Sequence, residues 1–166
     1  MNQRCPTEEQ AICGILLKLF PLILPFAVKW AERAEKRILQ EGVPLSESQL
    51  SDARLMGVEH PERIRVLMVE EIPLPGNLVL KFAARITGLF SAHTAGMALR
   101  YGIFVRRDCW GDRQLIAHEC VHTAQYESLG GFREFLSCYL RECLEIGYPA
   151  APMEQEAILK SATIPA

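Results

Sequence analysis

The sequence has no large excess of charge of either sign, and this limits the partners that can be expected. Its 166 residues carry 18 lysines and arginines against 20 aspartates and glutamates, a formal net charge of −2 at pH 7. It therefore has neither the basic excess typical of nucleic-acid-binding domains nor an acidic tail. We expect no nucleic-acid partner.

The cysteines contain no CxxC pair, so the usual spacing of a structural zinc site is missing. The six are Cys5, Cys13, Cys109, Cys120, Cys138 and Cys143. A chain of this length also buries enough surface to fold without disulfide bonds. We expect reduced thiols, as in a cytoplasmic protein.

An uninterrupted hydrophobic run of membrane-spanning length is missing as well. The most apolar stretch, residues 11–28, is interrupted by Lys18, Pro21 and Pro25, whereas a spanning helix needs about 20 apolar residues with few breaks. A secretory signal is not indicated, because acidic residues precede the run and no A-x-A site follows it. We expect a cytoplasmic location, with residues 11–28 packed on the core. Peripheral membrane contact through the same residues is one alternative, and a true membrane anchor is the other.

Repeats, low-complexity segments and linkers are also absent, and one compact unit is therefore expected. Within it we distinguish residues 1–58, a hydrophobic and helical segment packing on the core, from residues 59–166, which carry the chemistry. The first part predicts two short helices, the second of which begins with a capping box at Ser46 and Gln49.

The second part predicts a small sheet among helices. Residues 64–72 are β-branched and apolar, and residues 97–106 alternate in polarity, so each is predicted as a strand. Helices are predicted at 78–89, at 132–146 and at 152–161. The fold class is therefore α+β, mostly helical with a small sheet beside a central helix.

The central helix is predicted from Asp112, its N-cap, to Leu129, and it carries His118-Glu119-Cys120-Val121-His122, an HExxH motif. Residues four apart on a helix lie about 40° from each other, so the two imidazoles can bind one zinc ion. Glu119 lies close enough to take a proton from a water molecule there, as a metal hydrolase requires. A chance pair of histidines on a solvated face is the alternative, and the apolar residues on both flanks argue against it.

This stretch resembles the active-site helix of the zincin metallopeptidases. A metzincin would read HExxHxxGxxH, but Gln125 and Ser128 stand at the last two places. The remaining pattern is that of the gluzincins, in which a downstream helix supplies a glutamate, and residues 152–157 resemble the ExEA element of some gluzincins. From about residue 101 to residue 157 the chain is similar to small bacterial metallopeptidases with an HExxHxxQ motif. Gln125 itself falls on the histidine stripe, where it can orient a metal-binding histidine.

The resemblance implies a zinc-dependent peptidase with His118 and His122 as zinc ligands and Glu119 as the catalytic base. Glu154 and Glu156 are two residues apart, roughly 200° on a helix, so only one can face the metal. The resemblance favours Glu154.

The partner implied is a peptide or protein substrate. By the same resemblance, residues 101–105 would pair with the extended peptide. The donor that stabilises the oxyanion is left open among Tyr126, Tyr139 and Tyr148. A non-catalytic zincin-like module that binds metal, a partner or a membrane is the alternative function, and the oligomeric state is not predicted.

Overall fold

The protein, in a computed structural model, is described for residues 8–76 and 94–165, with side chains from residue 14 onward. Within these ranges the fold is α+β, as predicted, with five α-helices and a four-stranded mixed sheet. The helices are α1 (Glu8–Glu41), α2 (Glu47–Leu55), α3 (Arg113–Leu129), α4 (Phe132–Glu145) and α5 (Pro152–Ser161). The strands are β1 (Val43–Pro44), β2 (Arg65–Val69), β3 (Gly96–Leu99) and β4 (Gly102–Arg106). The helix predicted at 78–89 lies outside the described residues.

The first helix is much longer than predicted. α1 runs for 34 residues through Pro21 and Pro25, so the prediction of two short N-terminal helices is wrong for the first of them. Both prolines lie on the exposed side of α1, where carbonyls that lose a partner can bond to water. Burial of the opposite side then offsets the lost hydrogen bonds. The capping box that begins α2 at Ser46 is confirmed.

The stretch predicted as one strand at 97–106 is a β-hairpin instead. β3 and β4 pair in antiparallel fashion, and Arg100 and Tyr101 form the turn between them. Arg100 takes a left-handed φ of 56°. Its guanidinium donates to Glu35 at 2.8 and 2.9 Å, and its carbonyl accepts from the Thr123 hydroxyl at 2.7 Å. These contacts hold a turn that has no glycine or asparagine.

The hairpin changes which strand can meet a peptide. The strand order is β1-β2-β4-β3, with β4 parallel to β2 and antiparallel to β3. The prediction that residues 101–105 pair with a substrate is therefore wrong, because β4 is already paired on both sides. Among the strands of the described residues, β3 is the one at this edge of the sheet.

The sheet separates two hydrophobic cores. Phe104 faces the core formed with α1 and α4, whereas Ile103 and Val105 face the core formed with α2, α3 and α5. This is the two-residue alternation of a strand buried on both faces. α3 packs beside β3 and contributes to both cores, so one side of it faces α4 and the inner side of α1.

Candidate metal centre

The rotation of α3 decides where the HExxH side chains point. Asp112 caps the helix as predicted, accepting from the Leu115 backbone N–H at 2.9 Å. Ile116 and Cys120 are buried in the second core, and they turn the opposite side of the helix towards α4 and α5. Cys120 thus points away from the histidine pair, as predicted, and burial raises the pKa of its thiol.

Three side chains from α3 and α5 converge on this side of the helix. His118 Nε2 lies 3.2 Å from Glu154 Oε1, and His122 Nε2 lies 3.3 Å from Glu154 Oε2. The two imidazole rings are edge-to-face with their centroids 4.9 Å apart. Glu154 stands in the first turn of α5, and its side chain is only 3% exposed. A buried carboxylate between two imidazoles is a set of residues able to hold a metal ion.

Gln125 fixes which nitrogen of His122 faces this cluster. Its amide Nε2 donates to Met153 O at 3.0 Å and to Glu156 Oε2 at 2.8 Å, both of which can only accept. Its Oε1 therefore accepts from His122 Nδ1, 2.8 Å away. The predicted contact of Gln125 with a motif histidine is confirmed. In the neutral ring the proton is on Nδ1, and the lone pair of Nε2 points at Glu154.

This arrangement places two acceptors against each other. A neutral His122 Nε2 and a carboxylate oxygen of Glu154 repel at 3.3 Å unless a cation lies between them. Zinc ligands in a tetrahedral site, with bonds of about 2.0–2.1 Å, stand roughly 3.3 Å from one another. The observed separations of 3.2 and 3.3 Å match that spacing, whereas charge-assisted hydrogen bonds are usually shorter, at about 2.7–2.9 Å. These residues therefore fit a zinc ion.

The pKa values of His122 and Glu154 are shifted in opposite directions by their mutual attraction. Burial alone would lower the pKa of His122, but its hydrogen bond to Glu154 and the charges of Glu119 and Glu154 raise it overall. Burial would raise the pKa of Glu154, but His118 and His122 bring it well below the usual range. Glu154 is thus ionised at neutral pH, and His122 tends to hold a proton where a metal ion would otherwise lie.

Glu156 occupies a different environment from Glu154. Its carboxylate pairs with Lys160 Nζ at 2.7 Å and accepts from Gln125, and its side chain is 44% exposed. The hydrogen bonds to Lys160 and Gln125 lower its pKa. The structure brings Glu154, and not Glu156, to the histidines.

Glu119 lies against the edge of the sheet. It is buried, and burial raises the pKa of its carboxyl group, although the charges of the two histidines oppose this. The Ala98 backbone N–H donates to it. A Cβ at Gly96 would lie 2.6 Å from Glu119 Oε1, so any other residue there would displace the carboxylate. Gly96 and Ala98 were missed by the sequence analysis, because only the pairing of β3 shows where they lie.

The pairing of β3 also directs its backbone towards the site. Arg106 N–H donates to Ala95 O, and hydrogen bonds alternate along an antiparallel pair. The N–H and C=O groups of Gly96 and Ala98 therefore point away from β4, towards the outer edge of β3 beside Glu119.

An apolar cavity of about 160 Å³ opens beside the three converging residues. Its wall combines α1, β3, α3 and α4, and the α1 and α4 residues include Leu16, Phe20, Ile23, Leu136 and Leu140. The sequence predicts that residues 11–28 pack on the core. It gives no sign that they form a wall of the site. That role depends on the packing of α1 against α4.

The three tyrosines considered as donors have different surroundings. The Tyr139 hydroxyl donates to Glu154 Oε2 at 2.9 Å. Tyr148 is partly exposed, and burial, the charge of Glu154 and a hydrogen bond with it raise the pKa of its phenol. Tyr126 lines the cavity, and its buried hydroxyl has no hydrogen-bond partner within the described part of the chain. Of the three, Tyr139 and Tyr148 are therefore the ones whose hydroxyls lie against Glu154.

Comparison with models of known protein families, with curated proteins and with solved structures finds no match to this chain.

Proposed function

We propose that this protein is a zinc-dependent peptidase of the HExxH type, with His118, His122 and Glu154 as zinc ligands and Glu119 as general base. The observation that carries the proposal is the convergence of His118 Nε2, His122 Nε2 and the buried Glu154 carboxylate, with separations of 3.2 and 3.3 Å. A cation completes this cluster. A purely structural zinc site would not need a carboxylate such as Glu119 beside its ligands.

A zinc ion bound there would supply a positive charge that polarises the scissile carbonyl and makes a bound water more acidic. Glu119 accepts a proton from that water and passes it to the leaving amine nitrogen, so the carboxylate is regenerated at the end of each cycle. Its burial supports this role, because a raised pKa makes the carboxylate a stronger base.

The surroundings of the cluster support a peptide substrate. Within the described residues, the backbone groups of Gly96 and the carbonyl of Ala98 face an edge of β3 that no other strand occupies, where an extended peptide can add as a strand. The apolar cavity next to His118 and Glu119 fits a large apolar side chain of that peptide. We therefore expect cleavage beside bulky apolar residues.

The test is metal content followed by cleavage of a fluorogenic peptide library, with and without a chelator. We expect about one zinc per chain, and cleavage that the chelator abolishes and added zinc restores. Glu119→Gln keeps the size of the side chain but cannot accept the proton, so it should retain zinc and lose a hundredfold or more in rate. A preparation of this variant also controls for contaminating proteases.

Two results would contradict the proposal. Protein that contains no zinc and takes up none after dialysis against it would remove the metal centre. Zinc-loaded protein that cleaves nothing in the library would leave a non-catalytic metal-binding module, which is the second candidate. The observation that favours this second candidate is the exposed apolar face of α1, which is suited to binding rather than chemistry.

A further inference from the structure

The helix α1 is apolar on two opposite sides. Its inner side is buried in the core through Leu16, Phe20, Leu24 and Ala27. Its outer side carries four large apolar side chains that are 41–68% exposed: Ile15, Leu19, Leu22 and Phe26. Their spacing of four, three and four residues places them within about 60° of one another on the helix. We call these four residues the outer stripe.

Basic residues accompany the outer stripe along the same side of α1. Between residues 14 and 41 the exposed charged side chains are five basic ones, Lys18, Lys29, Arg33, Lys36 and Arg37, and two acidic ones, Glu32 and Glu41. The chain as a whole has a formal net charge of −2, so this surface is locally positive. Lys18, Lys29, Arg33 and Lys36 all lie within roughly 70° of the centre of the outer stripe.

We propose that α1 docks parallel to an anionic lipid surface, with the outer stripe inserted at the headgroup boundary and the basic residues over the headgroups. A helix that has one apolar face, flanking lysines and arginines and an opposite face held by protein is suited to lie in the interface plane. The charge of the surface selects the occupant, because anionic lipid complements it.

A spanning helix does not agree with the packing. α1 has the length and composition of a membrane-spanning helix, but its inner side belongs to the protein core. Leu16, Phe20 and Leu24 on that side are buried in the core that α1 shares with α4. Crossing a bilayer would require α1 to leave that core.

A second copy of the chain is also a poor occupant. The outer stripe has four large side chains, whereas a stable interface uses about 20–30 residues from each partner. Two copies of this surface would also bring like charges together.

Docking would place the candidate site close to the lipid. The inner side of α1 lines the cavity beside His118 and Glu119, and a helix with its side chains is about 10–12 Å across. The docked protein would meet polypeptide segments that emerge from a membrane. Docking itself does not depend on zinc or on peptidase activity.

Vesicle sedimentation with the full-length protein tests the proposal. Vesicles of phosphatidylcholine with phosphatidylserine should pellet the protein, vesicles of phosphatidylcholine alone should pellet it weakly, and added salt should release it. Leu22→Gln/Phe26→Gln should weaken binding about a hundredfold, because two large side chains no longer leave water. Leu55→Gln/Leu159→Gln is the matched control, since these residues are 70% and 69% exposed but lie outside α1.

The charge contribution is tested separately. Lys29→Gln/Arg33→Gln should weaken binding to the phosphatidylserine vesicles more than tenfold and leave binding to neutral vesicles unchanged. Arg54→Gln/Arg133→Gln removes two exposed arginines that lie outside α1, and it should leave binding to both kinds of vesicle unchanged.

Several results would overturn the proposal. Failure to pellet with either vesicle would do so, as would equal binding by the parent and Leu22→Gln/Phe26→Gln. If the parent protein forms a dimer in the absence of vesicles and Leu22→Gln/Phe26→Gln does not, the outer stripe binds a second copy of the chain instead of lipid. Protein that resists carbonate extraction from vesicles would indicate a spanning helix. Since Leu22 and Phe26 do not line the cavity, zinc content should be the same in all these variants.

Discussion

Two buried carboxylates of this protein, Glu35 and Glu154, are held in opposite ways. Glu35 receives both arms of the Arg100 guanidinium at 2.8 and 2.9 Å, together with the Tyr101 backbone N–H at 3.2 Å. Every one of those partners is a donor. Glu154 receives the Tyr139 hydroxyl at 2.9 Å, has a hydrogen bond with Tyr148, and otherwise faces imidazole nitrogens at 3.2 and 3.3 Å.

The difference separates a structural cluster from a candidate functional one. Glu35 is satisfied within the protein, because arginine is always protonated and always donates. Glu154 is satisfied only when a proton or a metal ion lies between it and the histidines. A buried polar cluster that needs an added cation is a better candidate site than one that is complete, although both are buried to a similar degree.

The largest expected effect separates Glu154 from its neighbour on α5. Glu154→Ala removes one of the three proposed ligands and should lower zinc affinity by at least a hundredfold. It should also abolish the rise in melting temperature that zinc produces, because bound metal stabilises the folded state by mass action. Isothermal titration with zinc and thermal unfolding with and without a chelator measure both effects.

Glu156→Ala is the matched control on the same helix. It removes an exposed ion pair with Lys160, worth about 0–1 kcal/mol, and one hydrogen bond to Gln125. Zinc affinity should therefore change little. If Glu156→Ala loses zinc while Glu154→Ala keeps it, the ligand assignment is wrong. If both keep it, no carboxylate of α5 is a ligand.

The second largest effect is expected when the cluster around Glu35 loses its carboxylate. Glu35→Ala leaves the Arg100 guanidinium without its carboxylate beside the turn between β3 and β4. Breaking a buried pair costs about 3–5 kcal/mol, but Arg100 is 37% exposed, so we expect about 2 kcal/mol of lost unfolding free energy. Urea unfolding measures it, and the zinc-induced rise in melting temperature should persist.

Glu41→Ala is the control for this change, because it removes an arginine pair from the exposed side of the same helix. The side chains of Arg37 and Glu41 are 53% and 52% exposed, so the loss should not be measurable. Equal destabilisation by Glu35→Ala and Glu41→Ala would show that burial of the Arg100 pair does not matter. If folded Glu35→Ala lost zinc binding, the clusters around Glu35 and Glu154 would not be independent of each other.

The sequence predicted the parts of the site that depend on one helix. The HExxH helix has a local cap and flanking apolar residues, so its ends and its rotation could be predicted, and with them the contact of Gln125. The same rotation argument limited α5 to one inward carboxylate. The division of the chain at residue 58 stays a prediction.

The parts that depend on packing between elements were missed. Alternation of polarity continues through the two-residue turn at Arg100 and Tyr101, so a hairpin looked like one strand. The turn is stabilised by Glu35, which lies 65 residues away and leaves no local signal. α1 continues through two prolines because its inner side is buried, and only that burial shows that it forms a wall of the cavity.

The smallest expected effect is a difference in pH dependence between the zinc-free and the zinc-bound protein. In the zinc-free protein the pKa of His122 is raised above its ordinary value of about 6.5. Between the two values the folded state binds more protons than the unfolded state. Stability should therefore be highest below about pH 6.5 and fall as pH rises through the raised pKa.

Zinc removes that slope, because His122 must lose its proton before Nε2 can bind the metal, and above about pH 6.5 the unfolded state has lost it as well. Over the same pH interval, the melting temperature of the chelated protein should fall as pH rises, while that of the zinc-saturated protein should stay nearly level. Arginine holds its proton throughout, so Arg100 adds no slope of its own. Paired thermal melts across about pH 6 to 9, with zinc and with chelator, measure the two slopes. Parallel curves would mean that the proton and the metal do not compete at His122, and the facing acceptors would then no longer support a metal centre.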